Sequence, residues 1–419
     1  MLAVESPLEA YRSDLERNPG LDDFGPSDTL WLLVAHCLGR VSRARPESRQ
    51  ELSTLCARAL REFSIPQSRM GDQLAANLDQ VNYGLANNSE PDGSDSLSRG
   101  VRGFVSQMCD AGALATAYTT VALTRQIVDA GSSRERGLLA ADQARIARQL
   151  GDFEAAEDLY QVAETIAARA NDAAVLSRVS TGRGTLARTR GNYPMARECF
   201  ERALKFAKTS GCADVQFIAH QGLTITCAVA NNVDDALQHG WAAYEFAGTD
   251  TTRQAEALSN LAQLSLMAGY PRAALSGFTA ALNRSHTLRI RLPQLGGAAL
   301  GAGRCKDVNS LLRLAAEIDR VTELSALPYE NAQAFLHLAQ AFAETGDLGR
   351  SARYRESTRR IAKARGFFEL MHAIQPEHFE QQVSATTPPV DLAPASRDVI
   401  ESLSVLETES DVVALITGR

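Results

Sequence analysis

The chain reads GDFEAAEDLYQVA over residues 151–163, GNYPMARECFERA over residues 191–203 and GYPRAALSGFTAA over residues 269–281. Each stretch opens on a glycine. An alanine, an aromatic residue and a second alanine follow it five, nine and twelve positions later. Glycine suits the left-handed residue that often ends a helix, and the apolar spacing is that of one helix face. The three stretches therefore predict a repeated unit in which a tight turn leads into a helix with a small–aromatic–small face.

The turn residue of this unit anchors further copies along the chain. Candidate turns lie 34 to 43 residues apart, at Asp110, Gly151, Gly191, Asn231, Gly269, Gly303 and Gly346. Seven positions before most of these turns stands a small residue: Gly103, Ala144, Gly184, Ala262, Gly296 or Ala339. Two helices of one hairpin can cross closely at such a residue. Because apolar residues recur at three and four and rarely alternate, an all-α array of helical hairpins is expected.

This pattern resembles the tetratricopeptide repeat, which joins a small residue, a Gly-Asp/Asn-Tyr turn and an Ala–aromatic–Ala helix about every 34 residues. The resemblance is strongest over residues 131–285 and extends, with irregular ends, over 95–371. The longer period of about 40 residues is similar to variants with lengthened helices, such as kinesin light chains and some bacterial regulators. Gly240 and Arg355 depart from the pattern because they stand at aromatic positions. The resemblance implies a right-handed α-solenoid of six or seven hairpins, with the first helix of each hairpin on the concave face.

The flanks of the array are also expected to be helical. Residues 1–86 read as an N-terminal helical segment, and the polar stretch 87–98 is expected to be the loop that joins it to the repeats. The proline-rich residues 384–395 predict a linker. Residues 396–418 predict one C-terminal amphipathic helix that Ser396 caps.

Composition narrows the class of protein. The 419 residues carry a formal net charge of −7, so a nucleic-acid partner is not expected. The seven cysteines form no C-x-x-C pair, which is typical of reduced, packed thiols. No segment reaches the length of a membrane span, and the N-terminus lacks the basic flank of a signal peptide. These features predict a cytoplasmic protein with no membrane partner.

Motifs that resemble nucleotide, phosphate or metal sites lack the surrounding residues or structure that such sites need. Gly182-Arg183-Gly184 matches a dinucleotide fingerprint by letters, but it lies inside a predicted helix. The glycines between residues 296 and 303 lack the G-K-[ST] ending of a phosphate loop. His372 and His378 lack the helical spacing of metal ligands. We therefore expect no enzyme activity, and neither a catalytic residue, a cofactor nor a metal.

The first helices of the hairpins supply polar side chains that are expected to face inward. They are Arg145, Arg148, Arg178, Thr185, Arg188, Gln221, Asn260 and Gln263. Asn260-Leu261-Ala262 resembles the Asn-Leu-Gly stretch of peptide-binding family members, whose asparagine amide holds the peptide backbone. The four arginines would favour an acidic peptide or a free C-terminal carboxylate. Equally, they could lie over the helices and meet local carboxylates.

The sequence thus predicts a non-catalytic adaptor or scaffold that binds a protein or peptide in a concave groove. Self-association through irregular end hairpins also fits. The alternative is a peptide-responsive transcriptional regulator of bacterial type, because residues 58–74 weakly resemble a helix-turn-helix. Against it, Arg69 and Asp72 nearly cancel in charge on the supposed recognition helix. The acidic C-terminal helix is expected to cap the array, bind a partner or occupy the basic groove of its own chain.

Overall fold

The computed structural model describes residues 6–17, 26–61, 69–111, 113–128, 131–285, 288–323, 327–365, 367–384 and 389–406. Within these ranges every regular element is an α helix and no strand occurs, so the predicted all-α fold is confirmed. The chain divides into two compact units, unit 1 over residues 1–215 and unit 2 over residues 216–419.

The helices follow one another in tandem in both units. Unit 1 holds α1 (Pro7–Arg17), α2 (Pro26–Arg43), α3 (Pro46–Arg61), α4 (Arg69–Ala86), α5 (Pro91–Ala111), α6 (Leu114–Ile127), α7 (Ser133–Gln149), α8 (Phe153–Arg169), α9 (Ala173–Thr189) and α10 (Tyr193–Ser210). The boundary between the units falls inside α11 (Ala213–Val229). Unit 2 continues with α12 (Val233–Phe246), α13 (Thr251–Met267), α14 (Pro271–Leu282), α15 (Leu288–Arg304), α16 (Val308–Glu323), α17 (Pro328–Glu344), α18 (Leu348–Arg365), α19 (Phe368–Ala373), α20 (Pro376–Ser384) and α21 (Pro394–Ser404).

Hairpins α7–α8 through α17–α18 form the repeat. Their first helices are α7, α9, α11, α13, α15 and α17, and their second helices are α8, α10, α12, α14, α16 and α18. The first helices begin at residues 133, 173, 213, 251, 288 and 328, so the period is 37 to 40 residues. This period exceeds the usual 34 residues and confirms the expected lengthened hairpin.

The Gly-Asp and Gly-Asn letters have a double role in the hairpins that carry them. Gly151 has φ of +86°, which ends α7 in the left-handed region where glycine carries no steric cost. Asp152 then caps α8, because its carboxylate accepts from the Ala155 N–H at 2.9 Å. Gly191, Asn231, Gly269 and Gly346 are left-handed in the same way, which confirms those four turns.

Two of the predicted turns are wrong. Gly303 lies inside α15, and the left-handed residue of that hairpin is Lys306, with φ of +60°. Gly303 is instead a packing residue, because a Cβ there would lie 2.7 Å from the Ala341 backbone of α17. Asp110 lies in the last turn of α5, which ends at Ala111.

Gly240 departs from the repeat because the small and the large position of its hairpin have exchanged size. In the regular hairpin α9–α10, Gly184 leaves room for the Phe200 ring, and an added Cβ would lie 2.9 Å from that ring. In α11–α12 the small position is occupied by Thr224, and the aromatic position by Gly240. A Cβ at Gly240 would lie 2.7 Å from Leu261 of the next hairpin. The space of the missing aromatic ring is therefore filled by that leucine.

The N-terminal helices pack against the start of the repeat in unit 1. The loop predicted over 87–98 is shorter than expected, because α5 already begins at Pro91. The Ser94 hydroxyl donates to the Asn88 carbonyl at 2.8 Å and helps to fix that start. The turn of the possible helix-turn-helix, residues 62–68, lies outside the described residues. The helix that follows, α4, packs between α3 and α5.

A carboxylate of α1 caps a distant helix. Asp14 is only 1% exposed. It accepts hydrogen bonds from the Ala115 N–H at 2.7 Å and from the N–H and hydroxyl of Thr116, both at 2.8 Å. These are free N–H groups at the start of α6, whose own N-cap residue, Ala113, offers no side-chain acceptor. The cap is thus supplied from about a hundred residues away.

The C-terminal helix differs from its prediction. Helix α21 begins at Pro394, ends at Ser404 and packs on the second helices α12 and α14, while residues 407–419 lie outside the described residues. Ser396 is not its cap but lies inside the helix, where its hydroxyl donates to the Asp234 carbonyl at 3.4 Å. In unit 2, self-occlusion would require the tail to lie on the first helices of the hairpins. The described part of the tail packs on second helices instead.

Candidate functional site

Two arginines of unit 1 lie together without a counter-ion. Arg148 lies in the last turn of α7 and Arg188 in the last turn of α9, in neighbouring hairpins. Burial, and next the positive charge of Arg148, lower the pKa of Arg188. The Nε atoms of both side chains are buried and have no hydrogen-bond partner. Among the described residues neither forms an ion pair with a carboxylate, so the pair offers unneutralised positive charge.

The hydroxyl of Tyr160, on α8, accepts a hydrogen bond from Arg148. Burial raises the pKa of the Tyr160 hydroxyl, while the charge of Arg148 and a hydrogen bond from it act in the opposite direction. The tyrosine is almost fully buried, so its hydroxyl is a fixed partner for the Arg148 side chain. We refer to Arg148 and Arg188 as the arginine pair.

The other predicted residues of unit 1 behave differently. Arg145 lies 3.9 Å from Asp142, which is already paired with Arg102 at 2.7 Å. Arg178 is exposed on α9. The Thr185 hydroxyl donates to the Thr181 carbonyl of its own helix at 3.0 Å. One alternative from the sequence was that these arginines pair with local carboxylates. Among the described residues, that holds for Arg145 but not for the arginine pair.

Another arginine of α9 shows what a structural guanidinium looks like in this fold. Arg183 forms ion pairs with Glu157 and Glu164, both on α8. These bonds join two helices of unit 1 and give the guanidinium two carboxylate partners, although its Nε atom, too, has no hydrogen-bond partner. The arginine pair has no such partners, which separates it from the arginines that serve packing.

In unit 2, the predicted residues Gln221, Asn260 and Gln263 all line one cavity of about 500 Å³. The first helices α11, α13, α15 and α17 supply nearly all of its lining. The lining residues are Phe217, Ile218, Gln221, Ile225, Glu256, Ser259, Asn260, Gln263, Phe278, Ile290, Pro293, Gln294, Gln333 and His337. We refer to this cavity as the amide pocket, after its five asparagine and glutamine side chains.

Hydrogen bonds hold some of these amides in place. The Asn260 amide N–H donates to the Gln221 side-chain oxygen. Gln294 is 1% exposed, donates to the Ser259 hydroxyl at 2.8 Å and accepts from the Ser285 hydroxyl at 2.6 Å. Gln294 is therefore fixed by its neighbours, whereas Gln221 and Asn260 each keep one polar group for a ligand.

Two titratable groups line the amide pocket. Burial, and next the charge of Arg304, lower the pKa of His337 to about 4, so its imidazole is neutral near pH 7. Its Nδ1 atom is buried and has no hydrogen-bond partner. The Glu256 carboxylate keeps solvent contact, yet burial and then the charge of Asp250 raise its pKa. Among the described lining residues there is no lysine or arginine.

Sequence reasoning missed several lining residues, although its own register could have found some of them. Glu256 and Gln333 stand thirteen residues before the turns at Gly269 and Gly346, as Arg178 does before Gly191. His337 stands nine residues before its turn, as Asn260 does. The register does not find Gln294, because it stands twelve residues before the left-handed residue Lys306, a position that none of the predicted residues shares.

The described part of the chain shows no metal site. No group of three or more His, Cys, Asp or Glu side chains there could hold a metal ion. The rings of His372 and His378 do lie close, with centroids 3.8 Å apart. No described helix is both long enough and apolar enough to cross a membrane.

Comparisons with known proteins agree with this architecture. The tetratricopeptide repeat family model matches residues 135–209, which span α7 to α10. The chain is similar to a solved Signal Transduction ATPase with Numerous Domains from Pyrococcus horikoshii, which has a tetratricopeptide repeat sensor. The identity is 12% and the TM-score 0.51, over 80% of this chain and 56% of that one. The chain thus spans little more than half the length of that ATPase.

The apo form of RapI has 12% identity and a TM-score of 0.46, over 80% of this chain and 98% of that one. BtubC from P. vanneervenii has 18% identity and a TM-score of 0.37, over 72% of this chain and 93% of that one. No curated protein matches the chain. The chain thus contains tetratricopeptide repeats over α7 to α10, and helical hairpins of similar length continue to α18.

Proposed function

We propose that this protein is a non-catalytic adaptor or scaffold that binds segments of a partner protein or peptide on the first helices of its hairpins. The tetratricopeptide repeats over α7 to α10 support an interaction role, because stacked hairpins form extended binding surfaces. The observation that carries the proposal is the arginine pair, which lies on two successive first helices and has no carboxylate partner.

The arginine pair is suited to a carboxylate ligand. Two like charges held close together repel each other, and a carboxylate placed between them would relieve that repulsion. Guanidinium groups bind carboxylates through parallel hydrogen bonds, each worth about 1.5–3 kcal/mol when charged. The partner segment we expect therefore carries an aspartate, a glutamate or a free C-terminus where it meets α7 and α9.

Peptide selection followed by measured affinity tests this proposal. Random peptides with a free C-terminus are selected on the wild-type protein, and their dissociation constants are measured by fluorescence polarisation. We expect Arg148→Glu plus Arg188→Glu to weaken the best acidic peptide by at least tenfold, because the charge pair is reversed. The neutral pair Arg148→Gln plus Arg188→Gln should weaken it less, and circular dichroism would show that each variant is folded.

The matched control is Lys205→Glu plus Lys208→Glu, which makes the same charge change on the exposed side of the second helix α10. That variant should bind the peptide within twofold of wild type. Equal affinity for wild type and for the reversed arginine pair would refute the assignment of the arginine pair as a binding site.

A further inference from the structure

The amide pocket has the size and lining of a ligand site. Its volume of about 500 Å³ lies within the roughly 300–1,000 Å³ that is typical of pockets for small ligands or side chains. Phe217, Ile218, Ile225, Phe278 and Ile290 give it apolar walls. Such a site binds one apolar group by burial and selects its orientation through a few polar atoms.

The Gln221–Asn260 pair matches a peptide group. The bond between the two amides uses an N–H of Asn260 and the oxygen of Gln221. The Gln221 amide N–H groups and the Asn260 oxygen remain for a ligand, one as donors and the other as acceptor. A peptide group needs that combination, because it presents one C=O and one N–H.

The charge of the amide pocket is opposite to that of the arginine pair. Glu256 is the carboxylate of the lining, and no ion pair involves it among the described residues. The nearby Arg253 is held by Asp250 at 3.4 Å and lies over the Phe217 ring, 5.3 Å from its centroid. His337 adds no charge near pH 7. The lining thus offers negative charge at one place and neutral polar groups elsewhere.

We infer that the amide pocket binds a peptide segment in which a lysine or arginine side chain meets Glu256, beside an apolar side chain held by the pocket walls. This inference rests on the proposed function, and it assigns to unit 2 a ligand preference opposite to that of unit 1. The Gln221–Asn260 pair holds the peptide backbone between the two side chains.

Selection in a background without the arginine pair isolates the amide pocket. A phage-displayed library of random twelve-residue peptides is selected on the full chain carrying Arg148→Gln plus Arg188→Gln. Parallel selections add Glu256→Gln, Glu256→Arg or the control Glu323→Gln, whose exposed carboxylate ends the second helix α16. We expect lysine or arginine to be enriched at one position with wild-type Glu256, and equally with Glu323→Gln. The best peptide should lose about tenfold in affinity with Glu256→Gln, and Glu256→Arg should enrich aspartate or glutamate instead.

The possible failures can be told apart. Peptides that are selected without a basic residue, or whose basic preference survives Glu256→Gln, would overturn this inference and leave the proposed function standing. A library that yields no binding peptide on any form, including the wild-type chain, would overturn the proposed function itself.

Discussion

Units 1 and 2 are built from the same hairpin yet present different chemistry on their first helices. At the position thirteen residues before the turn, α9 of unit 1 carries Arg178, whereas α13 and α17 of unit 2 carry Glu256 and Gln333. Unit 1 leaves an arginine pair without counter-ions, and unit 2 encloses amides, apolar walls and one carboxylate. We therefore expect the backbone of the repeat to decide which positions can meet a ligand, and the residues at those positions to decide which ligand is bound.

The two units also fasten their terminal helices by different means. In unit 1, one buried carboxylate of α1 takes three hydrogen bonds at the start of α6. In unit 2, α21 is held mainly by apolar contacts of Leu392, Val399, Ile400 and Leu403. A polar attachment fails when one group is removed, whereas an apolar attachment loses stability in proportion to the area exposed.

The largest expected effect tests this difference in attachment. We expect Asp14→Ala to lower the free energy of unfolding of unit 1 by about 3 kcal/mol, because three donors at the start of α6 lose a charged acceptor. In unit 2, Asp234→Ala removes one bond from the Ala393 N–H and should cost about 1 kcal/mol.

Tryptophan fluorescence in urea can separate the units, because Trp31 lies in unit 1 and Trp241 in unit 2. A Trp241→Phe background then reports on unit 1, and a Trp31→Phe background reports on unit 2. Glu16→Ala is the control on α1, since Glu16 is exposed and forms only a surface pair with Arg12. Equal costs for Asp14→Ala and Glu16→Ala would contradict the capping role.

The second prediction concerns packing that both units share. A Cβ at Gly182 would lie 2.4 Å from the Tyr160 ring, and one at Gly297 would lie 2.3 Å from the Phe278 ring. We expect Gly182→Ala to destabilise unit 1 and Gly297→Ala unit 2 by about 2 kcal/mol each, because a buried ring must shift. The same urea experiment measures both.

Gly349 provides the control for these alanine substitutions. It lies in α18, where an added Cβ would meet only the Asp347 carboxylate at 3.6 Å. Alanine there should stabilise unit 2 by up to about 1 kcal/mol, because it favours the helix without a clash. If Gly182→Ala and Gly297→Ala were also stabilising, the glycine–ring contacts would not be tight.

The smallest of the three effects is a pH dependence confined to unit 2. The pKa of His337 is lowered to about 4 from an ordinary 6.5, so between these values the unfolded chain binds the proton more readily. The stability due to the neutral imidazole is complete above pH 6.5 and is lost as the pH falls towards 4. At pH 5.5 the loss should be about 1.4 kcal/mol.

His337→Gln removes the titrating group and serves as the comparison. Urea unfolding of unit 2, followed through Trp241, should show wild type losing more stability than the variant between pH 7.5 and 5.5. Parallel curves for the two proteins would mean that His337 is protonated as easily in the folded state as in the unfolded state.

Sequence reasoning recovers the hairpins because the turn chemistry is local. A left-handed residue followed by an Asp or Asn cap can be read from two adjacent letters, as at Gly151-Asp152. It fails where tertiary packing uses a glycine for another purpose, as at Gly303 against Ala341. The exchange between Thr224 and Gly240 is hidden for the same reason, since the filling side chain, Leu261, comes from another hairpin.

The candidate sites, too, could be predicted from the sequence only in part. The register alone named Arg148, Arg188, Gln221 and Asn260, because helix periodicity decides which side chains share a face. It could not say which arginines have counter-ions, because Arg183 and Arg188 stand on the same helix and differ only in what α8 places near them. Nor could it show that residues of four helices enclose one cavity.

The return of the chain to α12 and α14 has a consequence for the order of folding. Stacked hairpins normally form contacts between neighbours, so each can fold as soon as it is made. The segment before α21 instead bonds Ala393 to Asp234, 159 residues away, and Val390 to Tyr270, 120 residues away. Closing such long loops costs chain entropy and slows the step that needs them. We expect the docking of α21 to be the last and slowest event in the folding of unit 2, and its release to be the first event in unfolding.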